Sequence, residues 1–160
     1  MSQPLRNYKQ VFEDFARDVE QNFRHDAYVV PFLFIEDRKG ELIAIDATKG
    51  WEDKDNFTHR VQRLLKKVKA RMMVTISEAW MRKLKGEEQG QPYKGLVSRD
   101  PGREEIIILT LETFGAQFVK IWRIWEVMGM RVLIDLHELP EGLAFQVRFS
   151  GNYFNRSKQP

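Results

Sequence analysis

Apolar residues near the N-terminus recur at three- and four-residue steps. Val11, Phe12, Phe15, Val19 and Phe23 follow this spacing, and mostly polar and charged residues fill the positions between them. Such spacing puts the apolar side chains on one side of an α-helix. A second stripe with the same period runs between positions 57 and 68. The pattern predicts two helices, each with one apolar face to bury.

Most of the remaining chain carries β-rich segments separated by turn residues. The segment 28–36 is almost continuously apolar, which is typical of a strand buried on both faces, and a polar turn ending in Gly40 leads to the next strand. The segment 116–128 fits either a strand or a helix, and strand is favoured because aromatic and β-branched residues dominate it. The predicted strands are, in chain order, 28–36, 41–47, 71–81, 105–112, 116–126, 131–138 and 143–149.

These elements predict one α+β domain with the order α-β-β-α-β-loop-β-β-β-β. A mostly antiparallel sheet of about seven strands would end in a C-terminal four-strand meander, and both helices would pack on one face of the sheet. The domain is expected to span residues 1–151, followed by a flexible tail at 152–160. The segment 82–103 is rich in glycine and proline. It is expected to form a functional or disordered loop, because it is too long for an ordinary connection.

Composition excludes several classes of protein. The chain has 160 residues and no cysteine, which excludes disulfides, thiolate catalysis and cysteine zinc sites. The opening residues lack the apolar run of a signal peptide, and no apolar segment approaches the ~20 residues of a membrane span. The sequence therefore predicts a cytoplasmic protein with no membrane partner.

Positive charge is concentrated in one part of the chain. Between Lys54 and Lys85 there are ten basic residues and two acidic ones. On a helix with 100° per residue, His59, Arg63 and Lys66 fall opposite the apolar stripe, and Arg60, Lys67 and Lys69 lie on the flanks of that outward face. This arrangement suits a nucleic-acid backbone, although a solvated helix face carries the same pattern. The candidate nucleic-acid-binding residues are Arg60, Arg63, Lys66, Lys67, Lys69 and Arg71.

A second group of polar residues lies where the third strand meets the long loop. Glu78 and Arg103 flank the loop on strands expected to be neighbours, so we predict that they form an ion pair. Ser77 cannot use Glu78 as a base, because adjacent strand residues point to opposite faces. A structural role, with Trp80 anchored in the core, is the alternative. The candidate polar constellation is Ser77, Glu78, Trp80, Arg99, Arg103 and Glu105.

Signatures of common enzyme families do not occur in the sequence. It contains no phosphate-binding loop, dinucleotide-binding glycine motif, zinc-protease motif or nucleophile elbow. Asp135 and His137 would share one strand face, but a catalytic zinc site needs about three protein ligands and no second histidine lies nearby. The sequence predicts no metal and no cofactor.

The run Met73–Trp80, which ends in Ser-Glu-Ala-Trp, is followed beyond the loop by Ser98-x-x-Pro101-x-Arg103-x-Glu105. This combination resembles a pattern in uncharacterised bacterial and phage proteins. The resemblance covers about residues 71–111 and implies no activity. It implies that these proteins share the residues Ser77, Glu78, Trp80, Pro101, Arg103 and Glu105.

The sequence does not by itself disclose a function. Missing catalytic motifs, the one-sided basic helix and the long loop favour a small non-enzymatic binding module of bacterial or mobile-element origin, with an unknown protein partner. One alternative is a weak, non-specific nucleic-acid-binding domain that uses the basic helix. Another is a hydrolase or transferase that uses Glu78 and Arg103. We also expect a homodimer, because helices on one face would leave apolar residues of the meander exposed on the other.

Overall fold

Two helices and seven strands make up the part of the chain that the structure, a computed structural model, describes: residues 7–29, 31–46, 54–83, 101–136 and 143–146. The α+β class and the order of the elements are confirmed. The predicted tail at 152–160, the domain boundary at 151 and most of the 82–103 loop lie outside the described residues. The elements are α1 (Tyr8–Asp26), β1 (Phe32–Glu36), β2 (Leu42–Asp46), α2 (Lys54–Val68), β3 (Met72–Lys83), β4 (Glu104–Thr113), β5 (Gln117–Val127), β6 (Met130–Asp135) and β7 (Leu143–Gln146).

A side chain caps the start of α1, and a left-handed backbone residue ends it. The Asn7 side chain accepts a hydrogen bond from the backbone N–H of Gln10 at 3.2 Å, as expected of an N-cap. At the other end Ala27 adopts the left-handed conformation, with φ at 61°, and its N–H bonds to the carbonyl of Phe23 at 2.8 Å. The backbone therefore stops α1 just before the chain turns toward β1.

The seven strands form one antiparallel sheet. Six of them follow the order β2-β1-β3-β4-β5-β6, and β7 pairs with β3. The segment 116–128, for which a helix was the alternative, forms strand β5 and the turn after it, as predicted. The hairpin turn predicted to end at Gly40 is also present, with Gly40 in a left-handed conformation, and the β5–β6 turn has left-handed residues at Met128 and Gly129.

The predicted four-strand meander is wrong in its last strand. β4, β5 and β6 do form a meander, but β7 pairs with Trp80–Lys83 of β3 and not with β6. The reason lies in the length of β3. β1 pairs with β3 only from Met72 to Ile76, so β1 leaves the far end of that edge without backbone partners, and β7 supplies them.

The two helices lie on opposite faces of the sheet, where the sequence analysis placed both on one face. Alternate residues of β3 decide this: Met72 and Val74 pack in the core beneath α1, whereas Met73 packs in the core beneath α2. β1 divides in the same way, with Phe34 against the α1 core and Leu33 in the α2 core. A central strand that is apolar on both faces needs cover on both, and each helix supplies one.

Each helix covers a different part of the sheet. α1 packs against residues of β1, β3, β4, β5 and β6, whereas the α2 core is drawn from β1, β2 and β3. The rest of the α2 side, on β5 and β6, carries exposed apolar residues, and we call it the open face. The open face comprises Val119 (47% exposed), Trp125 (48%), Val127 (45%), Met130 (66%) and Ile134 (37%). No helix among the described residues is long and apolar enough to cross a membrane.

Candidate functional site

The polar constellation divides between the two faces of the sheet. Ser77 is buried on the α2 side, whereas its neighbour Glu78 and the half-buried Trp80 lie on the α1 side. Glu105 pairs with Trp80 in the register and joins them there. Ser77 therefore cannot work with Glu78 as nucleophile and base, as predicted. Arg99 lies outside the described residues.

Glu78 and Arg103 do not pair, which corrects the prediction. The guanidinium of Arg103 lies over the ring of Trp80, 4.7 Å from its centroid, and Oε1 of Glu78 lies 3.8 Å from Nη2 of Arg131. The register explains the separation. Extended by one residue, it brings Arg103 opposite position 82, four residues beyond Glu78, or roughly 13 Å along a strand.

Arg131 of β6 is the cation that organises this constellation, and the sequence analysis missed it. Its Nη2 lies 2.8 Å from Oε2 of Glu105, and its Nη1 donates to the backbone carbonyl of Ala27 at 2.7 Å. The guanidinium also lies 5.7 Å from the ring centroid of Phe23. A cation at the C-terminal end of a helix interacts favourably with the helix dipole. Arg131 thus fastens the end of α1 to two carboxylates of the sheet.

Two further polar links hold α1 along its length. The indole N–H of Trp122 donates to Oε1 of Glu20 at 3.0 Å, and Nζ of Lys120 lies 3.4 Å from the same oxygen. Near the start of the helix, the hydroxyl of Tyr8 donates to Oε1 of Glu36, a buried carboxylate, at 3.0 Å. The polar groups on this side of the sheet therefore act as ties between α1 and the strands.

A cavity of about 340 Å³ lies between α1 and β1, away from these ties. Aromatic rings of Phe15, Phe32 and Phe34 line it, with Asp18 among its polar lining residues. None of the residues in the predicted polar constellation belongs to its lining. Glu78 and Arg103 therefore do not meet in this cavity.

Histidine and carboxylate groups do not gather into a ligand set in the described part of the chain. No group of three or more histidine, aspartate and glutamate side chains there could hold a metal ion. Asp135 lies 3.7 Å from Nζ of Lys120, and His137 lies outside the described residues. His25 is exposed, and its hydrogen bond to Asp26 raises its pKa above the usual 6.5.

The outward side of α2 presents the predicted basic surface. Val61 and Leu65 are buried against the sheet, which turns the intervening positions to solvent. From position 58 to position 71 the sequence has six basic residues and no acidic one. All six are exposed, and within the described residues none forms an ion pair or a side-chain hydrogen bond. We define these six as the basic surface: Arg60, Arg63, Lys66, Lys67, Lys69 and Arg71.

The β1–β2 turn extends the basic surface. This extension was not predicted from the sequence. The N–H of Arg38 bonds to the carbonyl of Val68 at 3.3 Å, so the turn lies against the end of α2. Arg38 and Lys39 are exposed there. Asp37, in the same turn, accepts hydrogen bonds from the backbone N–H groups of Lys39 and Glu41. The cluster Asp37-Arg38-Lys39-Gly40 was visible in the sequence, but its position beside α2 depends on the tertiary fold.

The two tryptophans of β5 have different surroundings. Trp122 is fully buried beneath α1, whereas Trp125 is half exposed on the open face, with the guanidinium of Arg123 5.9 Å from its ring centroid. An exposed aromatic ring beside a cation can stack on an unpaired base. Trp125 lies on the same side of the sheet as α2.

Comparisons with known proteins returned no relative: no protein-family model, no curated protein and no solved structure matches the chain.

Proposed function

We propose that this protein is a small non-enzymatic binding module that contacts the backbone of nucleic acid through its basic surface. One observation carries the proposal: six exposed cations on α2 and just beyond it have no anionic partner among the described residues. A cytoplasmic location and a bacterial or mobile-element origin, both inferred from the sequence, are part of the same proposal.

Phosphate is the chemistry that fits this surface. Arginine and lysine on one helix face neutralise several phosphates at once, and the release of condensed counterions then favours binding. Arg60 to Lys67 spans about 10 Å along the helix axis, which is long enough to contact more than one phosphate. Contacts of this kind position a protein without reading bases, so we propose binding without sequence preference.

The enzymatic alternative has weaker support. Glu78 and Glu105 both face Arg131, and Arg103 lies over Trp80, so these groups are engaged with one another. A general base or an anion clamp needs access to a substrate. The cavity between α1 and β1 lacks all five of these residues.

Fluorescence anisotropy with labelled oligonucleotides tests the proposal. Single- and double-stranded DNA and RNA are titrated with the protein between about 50 and 200 mM salt. The variant in which Arg63, Lys66 and Lys67 are changed to Gln should bind more weakly. It should also lower the slope of log affinity against log salt by roughly one unit per lost phosphate contact.

The matched control changes Lys9, Arg17 and Arg24 to Gln. These exposed cations lie on α1, on the opposite side of the sheet. Because each variant replaces three cations with Gln, the control has the same net charge as the α2 variant. The control should keep the parental salt slope. No binding of any oligonucleotide at low salt overturns the proposal, and equal losses in the two variants would overturn the location of the surface.

We also propose that the protein self-associates as a homodimer. The open face supports this proposal, because exposed apolar patches of more than a few hundred Å² usually mark an interface. Sedimentation velocity tests it directly. A species of 19.0 kDa that persists at high protein concentration excludes the dimer.

A further inference from the structure

Among the described strands, β6 has an unpaired outer edge. β6 ends the path of the sheet, and no described strand pairs with its outer side. Edge strands are commonly protected by lysine, proline or a bulge. The sequence of β6 contains neither lysine nor proline, and its register with β5 runs without interruption from Met130 to Asp135.

The hydrogen bonds to β5 show which backbone groups point outward. The N–H of Leu136 bonds to the carbonyl of Ile121 at 3.0 Å, and this pair continues the β5–β6 register. Antiparallel pairing alternates bonded and non-bonded pairs, so Ile134 and Val132 also direct their N–H and C=O groups toward β5. Arg131, Leu133 and Asp135 therefore direct theirs outward.

A second copy of β6 can satisfy these groups in one particular register. A two-fold axis perpendicular to the sheet keeps each face on its own side, so only residues of the same face can oppose one another. Centred on Leu133, the register places Arg131 opposite Asp135 of the partner subunit and forms about six backbone hydrogen bonds. The register centred on Val132 would form only about four backbone hydrogen bonds and would place Arg131 opposite an apolar side chain of the partner subunit.

Side chains favour the register centred on Leu133. In this register Arg131, 29% exposed, and Asp135, 37% exposed, stand opposite each other on the α1 side of the two copies, so opposite charges face each other twice while Arg131 keeps its contact with Glu105 of its own chain. On the other side, Val132 opposes Ile134 of the partner subunit, an apolar pair next to Trp125. The other outer edges among the described strands lack this complementarity, because Asp46 is the only charged residue of β2 and β7 has none.

We propose that β6 pairs antiparallel with β6 of a second copy, in the register centred on Leu133, and joins two sheets into one. This inference rests on the proposed self-association and specifies its surface. The alternative surface for a dimer is the open face itself, packed sheet against sheet.

Two kinds of variant separate the alternatives by sedimentation velocity. Asp135→Lys puts a lysine opposite Arg131 of the partner subunit, and the two-fold axis repeats this repulsion. Ile134→Lys puts a charge opposite Val132 of the partner subunit, where the wild-type pair is apolar. Both should weaken the dimer at least tenfold. Val119→Lys is the control: it is on the open face, but its register position lies beyond the end of β6. It should remain dimeric if the edge is the interface.

Amide hydrogen exchange gives a readout that needs no mutation. The Leu133 amide points outward, so its exchange should slow as protein concentration rises and the dimer forms. The Ile134 amide bonds to β5 and should be protected at all concentrations.

The outcomes separate edge pairing from self-association in general. A dimer that survives Asp135→Lys but not Val119→Lys overturns edge pairing and leaves self-association standing, whatever the effect of Ile134→Lys, because Ile134 also belongs to the open face. A protein that is monomeric at high concentration removes both proposals. Circular dichroism confirms that each variant is folded before it is scored.

Discussion

Arg131 and Ala27 are separated by 104 positions in the chain, yet Nη1 of Arg131 donates to the carbonyl of Ala27 at 2.7 Å. This bond is formed just beyond the last turn of α1, where helix carbonyls lack partners within the helix. The same guanidinium reaches Glu105 and Glu78, so one side chain joins the end of a helix to two strands.

Replacing Arg131 should cost stability. Arg131→Met leaves Glu105 and the Ala27 carbonyl without their donor, so we expect the free energy of unfolding to fall by about 1–3 kcal/mol. Arg131→Lys should lose less, because it keeps the charge but not the forked guanidinium. Urea denaturation measures both. The control Arg24→Met removes an exposed cation of the last turn of α1 and should change stability by about 0.5 kcal/mol or less. Equal effects of Arg131→Met and Arg24→Met would contradict this role of Arg131.

Glu20→Ala should destabilise the protein through Trp122. The indole N–H of that fully buried ring would lose its acceptor, and an unsatisfied buried donor costs about 1–3 kcal/mol. Glu13→Ala on the same helix removes an exposed carboxylate and should have little effect. Thermal unfolding compares the two variants, and the prediction fails if their midpoints coincide.

A glycine-to-alanine substitution should lower stability in the β5–β6 turn but not in the β4–β5 turn. Gly129 has φ at +79°, so Gly129→Ala should destabilise by about 1–2 kcal/mol although nothing lies near the added Cβ. Gly115, in the β4–β5 turn, has similar free space but no positive φ, and Gly115→Ala should be neutral or slightly stabilising. Unfolding midpoints in urea that rank the two substitutions in the opposite order would contradict the turn geometry.

Met128 offers the reverse experiment in the same turn. Its φ is 51°, a left-handed conformation that Asn tolerates better than Met. With Gly129, Met128→Asn creates the Asn-Gly pair favoured in two-residue hairpins with two positive φ angles. We expect a higher unfolding temperature in differential scanning calorimetry. A decrease would show that the fully exposed Met128 side chain contributes contacts of its own.

The imidazole of His25 should titrate above its usual pKa of 6.5. The hydrogen bond to Asp26 is the larger cause and the charge of Asp26 the second, while slight desolvation opposes both. Because the folded pKa is raised, the stabilisation is present below pH 6.5 and is lost as the pH rises through the folded pKa. Histidine proton shifts in NMR follow the titration. In Asp26→Asn the midpoint should fall, and an unchanged midpoint would remove the proposed cause.

Hydrophobic patterning predicted the elements better than their arrangement. The one-sided spacing of α1 and α2 survives in the structure because each helix buries one stripe. The nearly continuous apolar run of β1 indicated burial on both faces, a property that two helices on one face could not provide. In the structure, the neighbouring residues Phe34 and Leu33 pack into different cores, one on each face of the sheet. Pairing of β7 with β3 was not predictable, since it depends on how much of β3 the short strand β1 leaves open.

Site residues were predictable only where local pattern determined them. The six cations of the basic surface follow from helical spacing, whereas the partner of Glu78 depends on strand register. Arg131 was the missed partner, although a single arginine among the apolar residues of β6 is a signal of a tie or an interface. Arg38 and Lys39 had no such signal, because only the fold brings their turn to the end of α2.

The hydrogen bond between Glu20 and Trp122 can form only late in the synthesis of the chain. These residues are 102 positions apart, so α1 is synthesised long before the strand that it rests on. At about 5–20 residues per second, that interval lasts on the order of 5–20 s. During this time the stripe of Ala16, Val19 and Phe23 has no β5 to cover it, and the nascent helix is exposed to chaperones and to other chains. Contacts this distant in sequence also place the protein among the slower-folding small domains.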